Sequence, residues 1–372
     1  MDISAHEVSR YIYKLLHYLH LVHTFYSIYD YKTLDTFDLY EIIKIFVYIL
    51  YMNKYTDTDI SNIKEITKKY EATNMYEPTF HLLTTLICVF IILIFIHIKS
   101  GFNLILIILL GLFLVRLFII FHDLCHKSYF PTDERKTNTK GFNHSIALLI
   151  DFLNSYSADV WADGHSAHHK AQGNLNMYDN SRMVLTTEEL DKLPTYQQYA
   201  YKIFRQPIFF FTLIPLYMFW IGRIIYFDYS YMIKYGLFLF ILYKIGKWKL
   251  LLSFVFAQYI AGVLGLMLFH LQHQVNPAYL SAFSTSDETS KANAELIGAS
   301  VLSIPPILDY FTNGIEYHNV HHINPGVPSY NIKKCYEYLV KNKLIPDTKL
   351  SYSEMAKGLT HTIYDSDIQE YM

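Results

Sequence analysis

The chain has 372 residues, of which 52% are hydrophobic and 17% aromatic, while only 17% are charged; ordinary soluble domains carry about 25% charged residues. With a mean hydropathy of +0.16, this balance points to membrane association before any segment is located. The net charge of −2 gives no basis for a nucleic-acid partner. Cys88, Cys125 and Cys335 form no CxxC pair, which excludes a disulfide framework and leaves structural or incidental thiols.

Residues 1–80 are polar and aromatic. They lack the charged start, short apolar stretch and small-residue cleavage site of a signal peptide, and they are expected to form an N-terminal cytosolic helical segment with short helices such as 39–52. His17, His20 and His23 sit three apart there, but they drift around the helix among Tyr and Leu, which favours a packed or interfacial face over a ligand row. A charged stretch over 54–77 leads to two apolar runs, 82–98 and 102–121. A membrane span needs about 20 such residues, so both qualify, and with only Lys99, Ser100 and Gly101 between them they predict a tight hairpin. Residues 122–205 are polar and loop-rich. A second apolar region, 206–269, contains runs at 206–227, 235–245 (weaker) and 250–269. A mixed segment follows, and 346–372 reads as a C-terminal tail, so that 81–345 is the central domain.

Three histidine groups and one outlier stand out along this path: His122/His126 (HDLCH), His165/His168/His169 (HSAHH), His318/His321/His322 (HNVHH), and His273 in HLQHQ. Residues three and four apart share one helix face, and neutral imidazole suits iron, copper or zinc. With 18 His in 372 residues, chance supplies about 0.04 HxxHH matches and about 0.9 HxxxH matches. The pair of HxxHH motifs is therefore informative and the lone HxxxH is not. His122 follows the second apolar run directly. The groups can share a site only if the 206–269 region crosses the membrane an even number of times, and two crossings fit. Either 206–227 or 235–245 is then interfacial or part of a longer tilted span. Nine Lys or Arg lie in 122–205, whereas the hairpin turn carries only Lys99, so the positive-inside rule puts the histidines on the cytosolic face. Eight or nine imidazoles exceed the needs of one metal, which makes two metals the economical inference. No ExxH pair is present, unlike the carboxylate-bridged sites of ferritin-like bundles. An all-imidazole pair of metals beside a bilayer suggests oxygen chemistry on an unactivated C–H bond of a lipid chain.

At these residues the sequence resembles the membrane fatty acid desaturases over roughly 80–340. Trp161 precedes the second box, and Asn174 and Asp179 follow it (WADGHSAHHKAQGNLNMYD), while EYHNVHHINPGVPSYNI at 316–332, with Pro328 and Tyr330, resembles the third-box segment of acyl-lipid enzymes. LQHQ at 271–274 is similar to the family's extra-histidine motif. The first box has three intervening residues, the third begins with His318, and no HPGG haem motif occurs. Together these resemble a Δ12 or ω6-type acyl-lipid desaturase without a fused cytochrome b5 domain. The resemblance implies a di-iron ligand set of His122, His126, His165, His168, His169, His273, His318, His321 and His322. His270, one turn before His273, is either in touch with the site or a histidine at the membrane interface. Asp123, Asn174 and Asp179 either accept imidazole N–H protons and fix ligand tautomers or serve as turn and cap residues. His6, His81, His97, His144 and His361 lack partner spacing.

The implied protein is an all-α integral membrane protein with about four transmembrane helices in two hairpins and a cytosolic helical cap holding a di-iron site, resident in the endoplasmic reticulum if eukaryotic. The implied activity uses two iron ions and O2 to place a cis double bond in a fatty acyl lipid. The chain has no GxGxxG fingerprint and no iron–sulfur cysteine set, so a separate electron donor, cytochrome b5 or ferredoxin, is implied. A hydroxylase, conjugase or ketolase on the same site is the alternative enzyme reading. A metal transporter or zinc-stabilised membrane protein is the alternative from another class, but it predicts histidines lining a path within the spans.

Overall fold

A computed structural model of the chain describes residues 55–372, apart from Ser155, Asn180, Ser181, Pro277, Ala278, Tyr279, Asp367 and Gln369. The expected helix at 39–52, the His17, His20 and His23 row and His6 lie outside the described residues. Helix α1 (Asp57–Lys68) opens on a capping box in which Thr56 and Asp59 satisfy each other's backbone N–H groups. Helices α2 (Tyr76–Ile98) and α3 (Leu104–Cys125) follow. Val89, Leu93 and Ile96 of α2 are buried against α3, yet Leu83, Ile87, Ile91, Ile94 and Ile98 are also apolar and face outward. A helix that is apolar all round has no water-facing side. The hairpin turns through Gly101 at φ +70, a conformation that suits glycine, and Asn103 caps α3 by accepting from the Leu106 N–H.

The shorter helices α4 (Phe142–Ile150) and α5 (Ala158–Ala171) come next, then α6 (Pro207–Ile225), which contains a π-helical turn at Tyr217–Ile221, and α7 (Tyr229–His273). With α2 and α3, these last two make four helices long and apolar enough to cross a membrane among the described residues. The 45 residues of α7 do not form one rod, because Lys247 breaks the helix at φ 53, ψ −151. The Tyr235 hydroxyl donates to Gln258 Oε1 at 2.9 Å, and the Phe238 and Phe254 rings lie 5.1 Å apart. In a straight helix Tyr235 and Gln258 would be separated by about 35 Å. The paired residues mirror each other about Lys247, so arms 229–246 and 248–273 form an antiparallel hairpin. Lys249 Nζ donates to the carbonyls of His97 and Lys99 at 2.8 and 2.7 Å, which ties this turn to the α2–α3 turn. The second arm then runs parallel to α3, with Gly111 pressed against Ile260, and both end on histidine at the same level.

Helix α6 takes a different course. On the second arm of α7 the Tyr259 hydroxyl donates to the Thr212 carbonyl, Phe219 fills the notch at Gly262, and Phe211 packs on His270, while on the first arm Arg223 lies over the Tyr235 ring at 4.1 Å. The second-arm positions span only about 17 Å of helix, Tyr235 lies level with them through its bond to Gln258, and none lies near Lys247. Thus α6 runs beside the histidine-bearing end of the second arm, while 235–245 belongs to a full arm of the hairpin.

The segments between and after these helices pack over the histidine-bearing ends. They include α8 (His318–Ile323) and α9 (Ser329–Lys341). Buried Arg116 of α3 donates to Thr85 Oγ1 and to the Tyr310 carbonyl and lies over the Tyr310 ring, pinning Pro306–Thr312 to the first hairpin. The described residues are mostly helical, with β1 (Leu185–Thr186), β2 (Val301–Leu302), β3 (Lys349–Leu350), β4 (Ile363–Asp365) and β5 (Glu370–Tyr371) as short strands beside the helices. β1 and β4 pair in parallel, β4 and β5 antiparallel, and β2 and β3 in parallel. Residues 346–372 are thereby stitched to the body through β3, β4 and β5.

Candidate metal centre

Four helices deliver the imidazoles. His122 and His126 sit one turn apart where α3 ends, and His126 is the capping residue. His165, His168 and His169 occupy the last two turns of α5, with the Trp161 ring stacked on His165 at 4.3 Å and 22°. His273 closes α7, and the short helix α8 carries His318, His321 and His322. Each pair or triple uses the three- and four-residue spacing that aligns side chains on one helix face.

The nine rings converge in two sets. Nitrogens of His122, His126, His165 and His321 lie within 4.8 Å of one another, as do those of His168, His273 and His322. His169 joins the first set, its Nε2 standing 3.1 Å from both His165 Nε2 and His321 Nε2. His318 joins the second, with its Nε2 2.9 Å from His273 Nε2 and 2.7 Å from His322 Nε2. Among the described residues neither set contains a carboxylate.

This donor set fits bound metal. Metal–imidazole bonds of about 2.1 Å place neighbouring donor nitrogens about 3.0 Å apart at a right angle and about 3.4 Å at a tetrahedral angle. The observed edges of 2.7 to 3.4 Å fall at that spacing. Neutral imidazoles have too few protons to satisfy so many converging nitrogens by hydrogen bonding. His126 Nε2 and His168 Nε2 are buried with no hydrogen-bond partner, a costly state that a cation relieves. Burial, reinforced by the neighbouring imidazoles, holds His126, His165, His169, His318, His321 and His322 well below the ordinary histidine range. They stay neutral near pH 7, the state that binds metal.

A sequence model of the family described as fatty acid desaturase matches residues 100–355, more than half of the chain. The chain belongs to the fatty acid desaturase family. A fatty acid desaturase of Bacillus subtilis is 27% identical over 274 residues, covering 70% of this chain and 74% of the relative. An sn-1 oleoyl-lipid 12-desaturase of a Picosynechococcus species is 24% identical over 275 residues, covering 70% and 76%. A chloroplastic omega-6 fatty acid desaturase of Arabidopsis thaliana is 24% identical over 251 residues, covering 60% and 50%. The desaturase is thus an oxidoreductase of lipid metabolism.

Two carboxylates of the desaturase hold its imidazoles in place. Asp123 Oδ1 lies 2.9 Å from His122 Nδ1, and its Oδ2 accepts from the Ser329 backbone N–H at 2.6 Å. Asp179 Oδ2 lies 2.9 Å from His168 Nδ1. Each carboxylate accepts the Nδ1 proton and so leaves Nε2 as the lone-pair nitrogen. Asn174 contacts no imidazole: its side chain bridges the Phe283 carbonyl and the Asn176 N–H and shapes the connection after α5. His270 stands apart from both sets, donating from Nε2 to the Gly358 carbonyl at 2.9 Å and packing on Phe210 and Phe211. His81 meets Arg116, His144 faces Asp159, His97 lies at the hairpin turn, and His361 binds the Gln274 carbonyl.

Sequence reasoning missed Glu295. A cleft of about 200 Å³ runs past Lys64, Glu288 and Lys291 to His169 and His322, with buried Glu295 on its wall. Burial pushes the Glu295 carboxyl up to about 7. It lies in a polar stretch with no spacing relation to any histidine, so no local signal marks it. The grip of Ser329 on Asp123 was equally hidden, because it links residues 206 positions apart.

Proposed function

We propose that the chain is a di-iron, O2-dependent desaturase that introduces a cis double bond into a lipid-linked acyl chain, with Δ12/ω6-type placement. The observation that carries this reading is the convergence of nine imidazoles, and no carboxylate, into two sets at the ends of two helical hairpins. Within a desaturase, that donor set favours two iron ions. One would be held by His122, His126, His165, His169 and His321, the other by His168, His273, His318 and His322. Bound iron, supplied with O2 and electrons, provides the oxidising power to remove two vicinal hydrogens from an unactivated chain.

The protein's own contribution is orientation and exclusion. Asp123 and Asp179 hold a proton on Nδ1 of His122 and His168 and thereby fix which nitrogen faces inward. Trp161 packs on His122 and His165, and Phe118 and Phe121 pack on Trp161, which makes this wall of the site apolar and suits an alkyl chain. The names of the relatives, oleoyl-lipid 12-desaturase and omega-6 desaturase, support the lipid-linked substrate and the bond position.

The four antiparallel passes (α2, α3 and the two arms of α7) support a topology with the nine clustered histidines on one side, and the Lys/Arg content of 122–205 supports the cytosolic side. Residues 81–345 then form the desaturase domain, in the endoplasmic reticulum membrane if the cell is eukaryotic. Electrons come from a separate cytochrome b5 or ferredoxin. The histidines gather at helix ends rather than along a path through the spans, which disfavours a metal transporter. Elemental analysis of protein reconstituted anaerobically with ferrous iron tests the reading. Two irons per chain are expected, and a single tightly held zinc that iron does not displace would overturn it.

A further inference from the structure

The end of α7 is clamped from outside by residues far away in sequence. A helix leaves its last four carbonyls without internal partners, and three of those near His273 are met by other segments. The Ser300 N–H donates to the Gln272 carbonyl at 3.0 Å, the Tyr371 hydroxyl to the His273 carbonyl at 3.0 Å, and His361 Nδ1 to the Gln274 carbonyl at 2.9 Å. The His361 and Tyr371 rings stack at 5.6 Å and 9°. Buried Arg205 donates to the His361 carbonyl at 2.8 Å, and Gly358 sits so close to α7 that a Cβ there would meet Val275 at 2.4 Å. Tyr371 is placed by strand pairing, opposite Tyr364 in β4, which is itself paired to Thr186 in β1.

We propose that Tyr371 is a positioning residue for His273, and through it for one of the two metals only. This rests on the two-metal reading above. Among the nine imidazoles, His273 is the one carried by α7, and it belongs to the second set with His168, His318 and His322. The hydroxyl of Tyr371 fixes the terminal carbonyl of the turn that carries His273. Without it that carbonyl loses its bond to Tyr371, the last turn of α7 loosens, and the His273 ring loses its fixed distance to His318. The first set takes no ligand from α7, so it is unaffected.

The test titrates metal-stripped full-length protein in detergent with cobalt(II), whose absorbance reports imidazole coordination, and compares wild type, Tyr371→Phe and Tyr364→Phe. Tyr371→Phe removes the hydroxyl and keeps the ring stacked on His361. Tyr364→Phe removes a similar bond in the same strand pair, to the Leu280 carbonyl at 3.2 Å, a bond in which none of the nine histidines takes part. Wild type and Tyr364→Phe are expected to bind two cobalt ions with the same affinities. Tyr371→Phe should bind one as in wild type and the other about tenfold more weakly, with correspondingly faster release to a chelator and loss of one component of the spectrum. Equal binding by Tyr371→Phe and wild type, equal weakening of both sites, or the same defect in Tyr364→Phe would overturn the assignment while leaving the two-metal reading intact. Wild-type protein that binds fewer than two cobalt ions would overturn both.

Discussion

Replacing Asp123 by Asn changes only the charge and half of the hydrogen-bonding capacity of a side chain that is 1% exposed. The carboxylate accepts twice, from His122 Nδ1 at 2.9 Å and from the Ser329 N–H at 2.6 Å. An amide has one acceptor to offer. If its oxygen stays on His122, its NH2 group faces the Ser329 N–H, donor against donor. If it flips, His122 must move its proton to Nε2, the nitrogen that faces the other imidazoles. Either way one charge-assisted bond is lost, at about 1.5–3 kcal/mol, which corresponds to roughly a 10- to 100-fold loss of metal affinity, the range typical for partners of ligating histidines. Competition with a chelator of known affinity measures it directly. Asp159→Asn is the control, since that carboxylate sits in an exposed ion pair with Lys140 worth about 0–1 kcal/mol. Wild-type affinity in Asp123→Asn would refute the claim that Asp123 fixes the ligand tautomer.

The reversal at Lys247 predicts proximity that a single rod forbids. Cysteines at Phe238 and Phe254, whose rings are 5.1 Å apart, should be joined by a short bis-thiol reagent once Cys88, Cys125 and Cys335 are replaced. A straight helix would hold them about 24 Å apart, and failure to crosslink would favour the rod. The pH dependence of the metal-free protein follows from six buried imidazoles, His126, His165, His169, His318, His321 and His322, all held below the ordinary value by burial. Below about pH 6.5 the unfolded chain binds protons that the folded one refuses, so stability falls with acidification. Glu295 and Glu316, both raised to about 7 by burial, act in the opposite sense, with stability lost as pH rises from their unfolded values through 7, but they are two groups against six. Thermal unfolding of chelator-treated protein should give a lower midpoint at about pH 5.5 than at about pH 7.5, and an equal or higher midpoint would contradict the sign.

Much of the site was legible because its signals are local. HxxxH and HxxHH place rings on one helix face whatever surrounds them, and Asp123 neighbours His122 in sequence. The depth of His273 followed from where the last apolar run ends. The second hairpin was half legible: Lys244, Gly246, Lys247 and Lys249 interrupt the apolar region, but the tyrosines at 229–235 weaken the hydropathy of the first arm and hide its length. The apolar run at 206–227 did not show where α6 packs: it meets α7 at Tyr235 and at Tyr259–His270, away from the turn at Lys247. Asn174 shows the limit of a motif position, since its amide shapes a loop instead of meeting an imidazole. The clamp by Tyr371 and His361 had no sequence signal at all. It depends on strands of two and three residues, β5 paired with β4 and β4 with β1 nearly 180 positions earlier, and alternation cannot be read over so few residues.

The central claim is tested most directly by the fatty-acid profile of a heterologous host that supplies acyl lipid and an electron donor, expressing wild type beside His321→Ala at equal protein levels. The account predicts a new cis alkene with wild type, at the Δ12/ω6 position, and none with His321→Ala, whose ring faces His122, His126 and His169. An unchanged profile with well-expressed wild type, the same alkene from His321→Ala, or a hydroxylated product with no alkene would contradict it.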